Sequence, residues 1–139
     1  RQGFDVTEYL SSALIDMKLH LAGDADIDPD AFEREELAKL GMPRELPMRH
    51  RTPQFQHVFA SDGYSAGYYS YLWSEVLAHD AYGAFTEASG PYDKAVAKRL
   101  HDTVMSIGNT VDPAEAYRNF RGRDPDVKAY LRDKGFPTT

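Results

Sequence analysis

Apolar residues return at three- and four-residue steps along most of the chain. Val6, Tyr9, Leu10, Ala13, Leu14, Met17 and Leu21 trace one face of about four helical turns. Asp5 stands where a helix N-cap is expected, Glu8 lies three residues on as its reciprocal partner, and Gly23 marks the end. A second helix is predicted to open at Asp28-Pro29, with Phe32, Leu37 and Leu40 as its apolar marks and Gly41 as its stop. Aspartate can cap the free N–H groups, and proline at the first helical position gives up a donor that has no partner there. The same dipeptide recurs at Asp112-Pro113 and Asp124-Pro125, which predicts two short helices over 113–121 and 125–134. Between them and the second helix, the pattern predicts a main helix over 65–88 and another over 94–107. Tyr69, Leu72, Trp73, Val76 and Leu77 face inward on the first, and Val96, Leu100, Val104 and Ile107 on the second.

Residues 42–62 break the rhythm. Pro43, Pro47 and Pro53 favour extended or turn geometry, and FQHVF (Phe55 to Phe59) alternates as a short extended segment would. A connection of this length in a compact domain tends to carry function. The expectation is an all-α fold: an irregular bundle of about six helices in one domain, 1–139, interrupted by a long proline-containing loop.

Length and composition narrow this further. At 139 residues the chain suits one domain, and a hydrophobic share of 42% is enough to build a core. A net charge of -6 argues against a general nucleic-acid binder. With no cysteine there is neither a disulfide framework nor a thiolate metal site, which fits a reducing, cytoplasmic setting. No apolar run approaches the ~20 residues of a membrane helix. The start at Arg1 rather than a methionine predicts a processed or excised piece.

The densest chemistry lies in DGYSAGYYSYLWSEVL, Asp62 to Leu77. At helical spacing, Tyr64, Tyr68 and Tyr71 share a stripe and Tyr69 falls on the core side. Gly63 and Gly67 permit close approach by another backbone. Tyrosines at such positions are by default half-buried, ring inside and hydroxyl wet. His57, between Phe55 and Phe59, reads as a satisfied histidine or as a hydrogen-bond donor to substrate. The clusters MRHR (Met48 to Arg51) and RGR (Arg121 to Arg123) read as solvated surface or as carboxylate-gripping forks. Glu75 and His79 are placed for a surface contact, and no histidine pair has zinc-site spacing.

The stretch HVFASDGYSAGYYSYLWSEVLAHDAYGAF resembles the C-terminal part of the thimet oligopeptidase family of zinc metallopeptidases. GFDVTEYLSSALIDMKLH, LGMP, RHRTPQFQHVF, KRLHDTVMSIGNTVDP, FRGRDP and LRDKGF agree in the same order, so the likeness covers nearly the whole chain. Within the family it is most similar to bacterial peptidyl-dipeptidases, which remove C-terminal dipeptides from peptides. The family's zinc is held by an H-E-x-x-H helix and a glutamate on a following helix, none of which occurs here. The resemblance therefore implies a C-terminal segment that binds no zinc itself and is inactive alone. Its partners would be an oligopeptide substrate and the remaining part of the enzyme, not nucleic acid or membrane. Faces bared without that part would favour self-association. The resemblance also assigns roles. His57 matches a histidine that contacts bound peptide. Tyr64 and Tyr71 match tyrosines that hydrogen-bond the scissile carbonyl, and Tyr68 between them contacts substrate. A general oligopeptidase of the same family, and a self-contained helical module holding a peptide or partner, are the rival readings.

Overall fold

The computed structural model describes residues 1–138. Among them are six α-helices and no strand, as the periodicity predicts: α1 Gln2–Leu21, α2 Pro29–Lys39, α3 Ser70–Thr86, α4 Lys94–Leu100, α5 Pro113–Arg121 and α6 Lys128–Asp133. The chain divides into two compact units, one over Arg1–Tyr71 and one from Leu72 onward.

In the first unit, α1 starts earlier than predicted. Its N-cap is Arg1, and Asp5 sits inside the first turn, paired with the Arg1 guanidinium rather than capping. Asp28 caps α2 as expected, accepting from the N–H groups of Asp30 and Ala31 at 2.9 and 3.1 Å. The buried side of α1 overlaps the predicted stripe only in part: Ala13 is buried and Val6, Tyr9, Leu10 and Met17 are half-buried. Ile15 is buried with Ser11, Ser12, Ala13 and Asp16, whereas Leu14 and Leu21 are exposed. FQHVF, which closes the proline segment, is not extended. Gln56–Phe59 is a tight 3₁₀ turn that follows another at Thr52–Gln54, with Phe55 and Val58 buried. Alternation over five residues cannot separate a strand from such turns, and no second strand is present among the described residues to pair with.

The MRHR cluster is partly built into this unit: Arg49 and Arg51 are exposed, as the solvated reading expects, but the other contacts of the cluster tie it down. Met48 is buried, and His50 stacks on Phe55 with ring centroids 4.4 Å apart. Arg51 grips two carboxylates of α2, Asp30 and the buried Glu33, the latter at 2.7 Å. Glu33 also accepts from the backbone N–H and hydroxyl of Thr52 at 3.1 and 3.2 Å. The proline segment is thus pinned to α2 by charge-assisted hydrogen bonds, the strong class.

In the second unit, Ala84 of α3, Val96 of α4 and Phe120 of α5 form the core, with Ala81, Phe85 and Leu100 against it. The predicted helix over 94–107 is two pieces. After α4 the backbone widens into a π-helical turn, His101–Met105, in which the Ser106 N–H reaches back five residues to His101 O at 2.9 Å. Val104 is consequently exposed rather than buried. Asp112 caps α5, but Asp124 caps nothing: α6 begins at Lys128, and Asp124 instead accepts from Arg118 at 3.0 Å. An unpredicted cap, Asp93, opens α4 by accepting from Ala95 and Val96 N–H at 3.0 and 2.9 Å. The surface contact between Glu75 and His79 is present at 3.7 Å.

The RGR cluster corrects the solvated reading most sharply. The Arg121 side chain is 7% exposed, and both its terminal nitrogens bind Glu87, at 2.7 and 2.6 Å. Arg123 forks onto the buried Asp80 at 3.0 and 2.6 Å, and Tyr117 donates to the same carboxylate at 2.6 Å. Burial alone would raise the Asp80 carboxyl. Hydrogen bonds from Arg123 and Tyr117 and the charge of both arginines outweigh it and hold Asp80 below the ordinary carboxylate range. Burial, then the neighbouring Asp80, push the Tyr117 phenol far above its usual value. Arg121 lowers Glu87, and the Ser89 hydroxyl with the helix N–H groups lowers Asp93 to about 2.

These depressed carboxyls set the acid limit of the fold. Each contributes stability that is complete above the unfolded carboxylate pKa and is lost as the pH falls through the folded value. Urea unfolding is therefore expected to be nearly pH-independent from neutrality down to about pH 5 and to weaken steadily from about pH 4 towards pH 2. A midpoint at about pH 2.5 equal to that at neutrality would contradict this.

Candidate functional site

The predicted site residues converge in the first unit, but by a route that helical spacing does not describe. α3 begins only at Ser70. Residues 61–69 form successive turns, in which Tyr64 N–H reaches Ser61 O at 2.9 Å, Gly67 N–H reaches Tyr64 O at 3.0 Å, and Ser70 N–H reaches Gly67 O at 3.1 Å. A Cβ at Gly67 would stand 3.1 Å from Tyr64 O, so a side chain there would press on the turn. Tyr64 and Tyr68 therefore share no helix face with Tyr71. Tyr69, predicted as core, is 50% exposed, and Trp73, on the same predicted face one turn into α3, is 62% exposed; the buried residues of α3 are Asp80 and Ala84 instead.

The turns nevertheless gather the rings around His57. The Tyr71 hydroxyl and His57 Nε2 are 3.2 Å apart. Ring centroids of Tyr64, Tyr68 and Tyr71 lie 4.9, 5.8 and 5.9 Å from the imidazole. His57 is carried by the 3₁₀ turn Gln56–Phe59, which the buried Val58 anchors. Tyr68 is half-buried at the middle of the cluster, edge-on to Phe55 at 4.8 Å and to Tyr71 at 5.5 Å. Burial raises its phenol pKa, with Arg49 opposing, so Tyr68 is a protonated donor at neutral pH. Tyr64 and Tyr71 are 49% and 53% exposed, which leaves their hydroxyls open to a ligand.

Four further side chains belong to this arrangement and were not picked out by spacing. Tyr9 of α1 stacks on Tyr68 at 5.1 Å and donates its hydroxyl to Tyr68 O. His50 and Phe55 back the ring of Tyr68. Asp16, 3% exposed, accepts from the N–H groups of Ala66 and Tyr68 at 3.1 and 3.0 Å. The available signal was Asp16 itself, a lone carboxylate between Ile15 and Met17 in an apolar stretch of α1.

Chemically, the cluster offers phenol and imidazole hydrogen-bond donors on an open face, backed by an aromatic wall. Such a surface suits a carbonyl-bearing chain. Among the described residues, no three His, Cys, Asp or Glu side chains converge to hold a metal ion. No helix among them is long and apolar enough to cross a membrane.

Comparison with known proteins agrees with the resemblance read from the motifs. The family profile described as Peptidase family M3 matches residues 1–136. The chain is 36% identical over 138 residues to a dipeptidyl carboxypeptidase of Salmonella typhimurium, covering 96% of this chain and 20% of that protein. It is 36% identical over 137 residues to the dipeptidyl carboxypeptidase of Escherichia coli, with the same coverage. Oligopeptidase A of Escherichia coli is 36% identical over 132 residues, covering 94% of this chain and 19% of that protein. The chain thus spans about one fifth of the length of these curated relatives.

Proposed function

The chain belongs to peptidase family M3, and from that premise we propose that it is the C-terminal, substrate-facing segment of a cytoplasmic zinc peptidyl-dipeptidase. That enzyme hydrolyses peptide bonds in oligopeptides and releases C-terminal dipeptides. The observation that carries the reading is the pairing of Tyr71 with His57 at 3.2 Å, beside an exposed Tyr64. Tyr64 and Tyr71 are the catalytic donors, aimed at the carbonyl oxygen of the scissile bond. His57 and Tyr68 contact the bound peptide.

The donor chemistry follows from the pair. With its proton on Nε2, His57 donates to the Tyr71 oxygen and leaves the phenol proton free for substrate. Hydrogen bonds in such chains polarise one another, so the phenol becomes a better donor as negative charge grows on the carbonyl oxygen. Zinc, as the enzyme's metal, would supply Lewis-acid chemistry; among the described residues no three His, Cys, Asp or Glu side chains converge to hold it, which supports ligands from another part of the enzyme.

Tyr71→Phe in the longer enzyme tests this. It keeps the ring and removes the donor, so kcat is expected to fall on the order of 10²-fold with KM nearly unchanged. An unaltered kcat would sink the assignment. The similarity to oligopeptidase A supports a second reading, a general oligopeptidase. Mass spectrometry of a digested oligopeptide separates the two: successive loss of C-terminal dipeptides fits the first, and internal cleavage the second.

A further inference from the structure

We infer that Asp16 is a positioning residue for the tyrosine turn, acting on the reaction only through Tyr64, Tyr68 and Tyr71; the inference rests on the functional reading above. Asp16 lies on α1, fifty positions before Ala66, so nothing local in the sequence requires the contact. Its two carboxylate oxygens are divided between two backbone N–H groups of one turn, Ala66 on Oδ1 and Tyr68 on Oδ2. His20, one helical turn further along α1, places Nδ1 2.9 Å from Oδ1.

The turn held in this way is an unusual one. Ala66 has φ 54°, the only positive φ at a non-glycine among the described residues. The left-handed region is strained for alanine and persists only where surroundings over-determine it. Asp16 fixes the N–H of that residue and of Tyr68, two positions on. Tyr9 fixes the Tyr68 carbonyl from the same helix. The Tyr68 peptide groups are therefore held from both sides by α1. The backbone angles of 64–70 set where the phenols of Tyr64 and Tyr71 point relative to His57. Burying a carboxylate is costly, and an apolar residue would fill a core more cheaply. A buried aspartate with both oxygens on one strained turn is best explained by what that turn must present.

The test is Asp16→Asn in the longer enzyme, which keeps the shape but turns one acceptor into a donor facing an N–H. The expected result is a loss in kcat of about tenfold or more, with KM moved much less, since small misplacements of catalytic groups carry costs of this order. Combined with Tyr71→Phe, it should add less than its own full loss, because the part of its effect that passes through the Tyr71 hydroxyl is already gone and only the part through Tyr64 and Tyr68 remains. A wild-type kcat, or full additivity with Tyr71→Phe, overturns the inference. In the 139-residue chain, amide exchange gives an independent measure that needs no activity. The Ala66 and Tyr68 amides should exchange at least about tenfold faster in Asp16→Asn, and faster exchange should also appear in the milder Tyr9→Phe. Unchanged exchange in both variants overturns the role of Asp16 whatever the kinetics show. If Tyr71→Phe alone leaves kcat intact, the functional reading fails, and exchange then decides separately whether Asp16 sets the turn.

Discussion

Replacing Asp80 by alanine is expected to cost about 3–5 kcal/mol of folding stability. The side chain is 2% exposed and is the shared acceptor for Arg123 and Tyr117, with Arg121 bonded to its backbone oxygen at 3.0 Å. Removing the carboxylate leaves the buried Arg121 and the adjoining Arg123 with Glu87 as the remaining anion of the network, and Glu87 is largely exposed. Arg121 keeps Glu87 and the Asp80 backbone oxygen, and Arg123 is 43% exposed, so the cost comes from losing three charge-assisted hydrogen bonds at a buried site and leaving the Tyr117 phenol without that acceptor. Gly83 is part of the same construction. A Cβ there would sit 3.1 Å from the Arg121 guanidinium, so the helix face must stay bare for the arginine to lie across it. Asp80→Asn, which keeps one acceptor, should cost less. Urea unfolding followed by far-UV ellipticity measures the difference. The loss should persist at about 1 M salt, since buried pairs are poorly screened. A change below about 1 kcal/mol would show that the network is not a stability element.

Phe120→Ala is expected to cost a similar amount, about 3–5 kcal/mol. Phe120 is 2% exposed between α3 and α4, against Ala84 and Val96. Its ring is also capped by the Arg99 guanidinium at 5.5 Å and met edge-on by Tyr117 at 6.5 Å. Ala84 and Val96 are too small to fill the space an alanine leaves, and only Phe85 and Leu100, partly buried against the cluster, can move towards it, so a large part of the cavity term remains. Phe120→Leu refills most of that volume and should cost clearly less. The same denaturation series checks both. Equal losses for the two variants would mean that the ring edge contacts, rather than the cavity, carry the energy.

The helices and their ends were largely legible in the order of residues. Apolar steps of three and four placed α1 to α4, Asp-Pro marked the starts of α2 and α5 but not of α6, and Gly23, Gly41, Gly90, Gly108 and Gly135 all take a positive φ. These are local properties, decided within one or two turns of chain. The membership of Tyr64, Tyr71, His57 and Tyr68 in one cluster was legible too, though through motif resemblance and not through periodicity.

What residue order could not decide was which side of each element meets which partner. Leu14 and Leu21 have the apolar character of core positions and are exposed, whereas Ser12 and Asp16 are buried. Helical phase identifies residues that share a face, but only the neighbours brought from distant positions select the face that is covered. The same holds for charge. Arg121 and Asp80 are both charged residues on helices, and nothing nearby in sequence distinguishes them from solvated ones. Their burial depends on a partner 41 positions away and on the bare surface at Gly83. The tyrosine turn is the clearest case. DGYSAGYY has the spacing of a helix start, yet a carboxylate and a phenol from α1 hold it in turns, and those long-range hydrogen bonds bring Tyr64 and Tyr71 to His57.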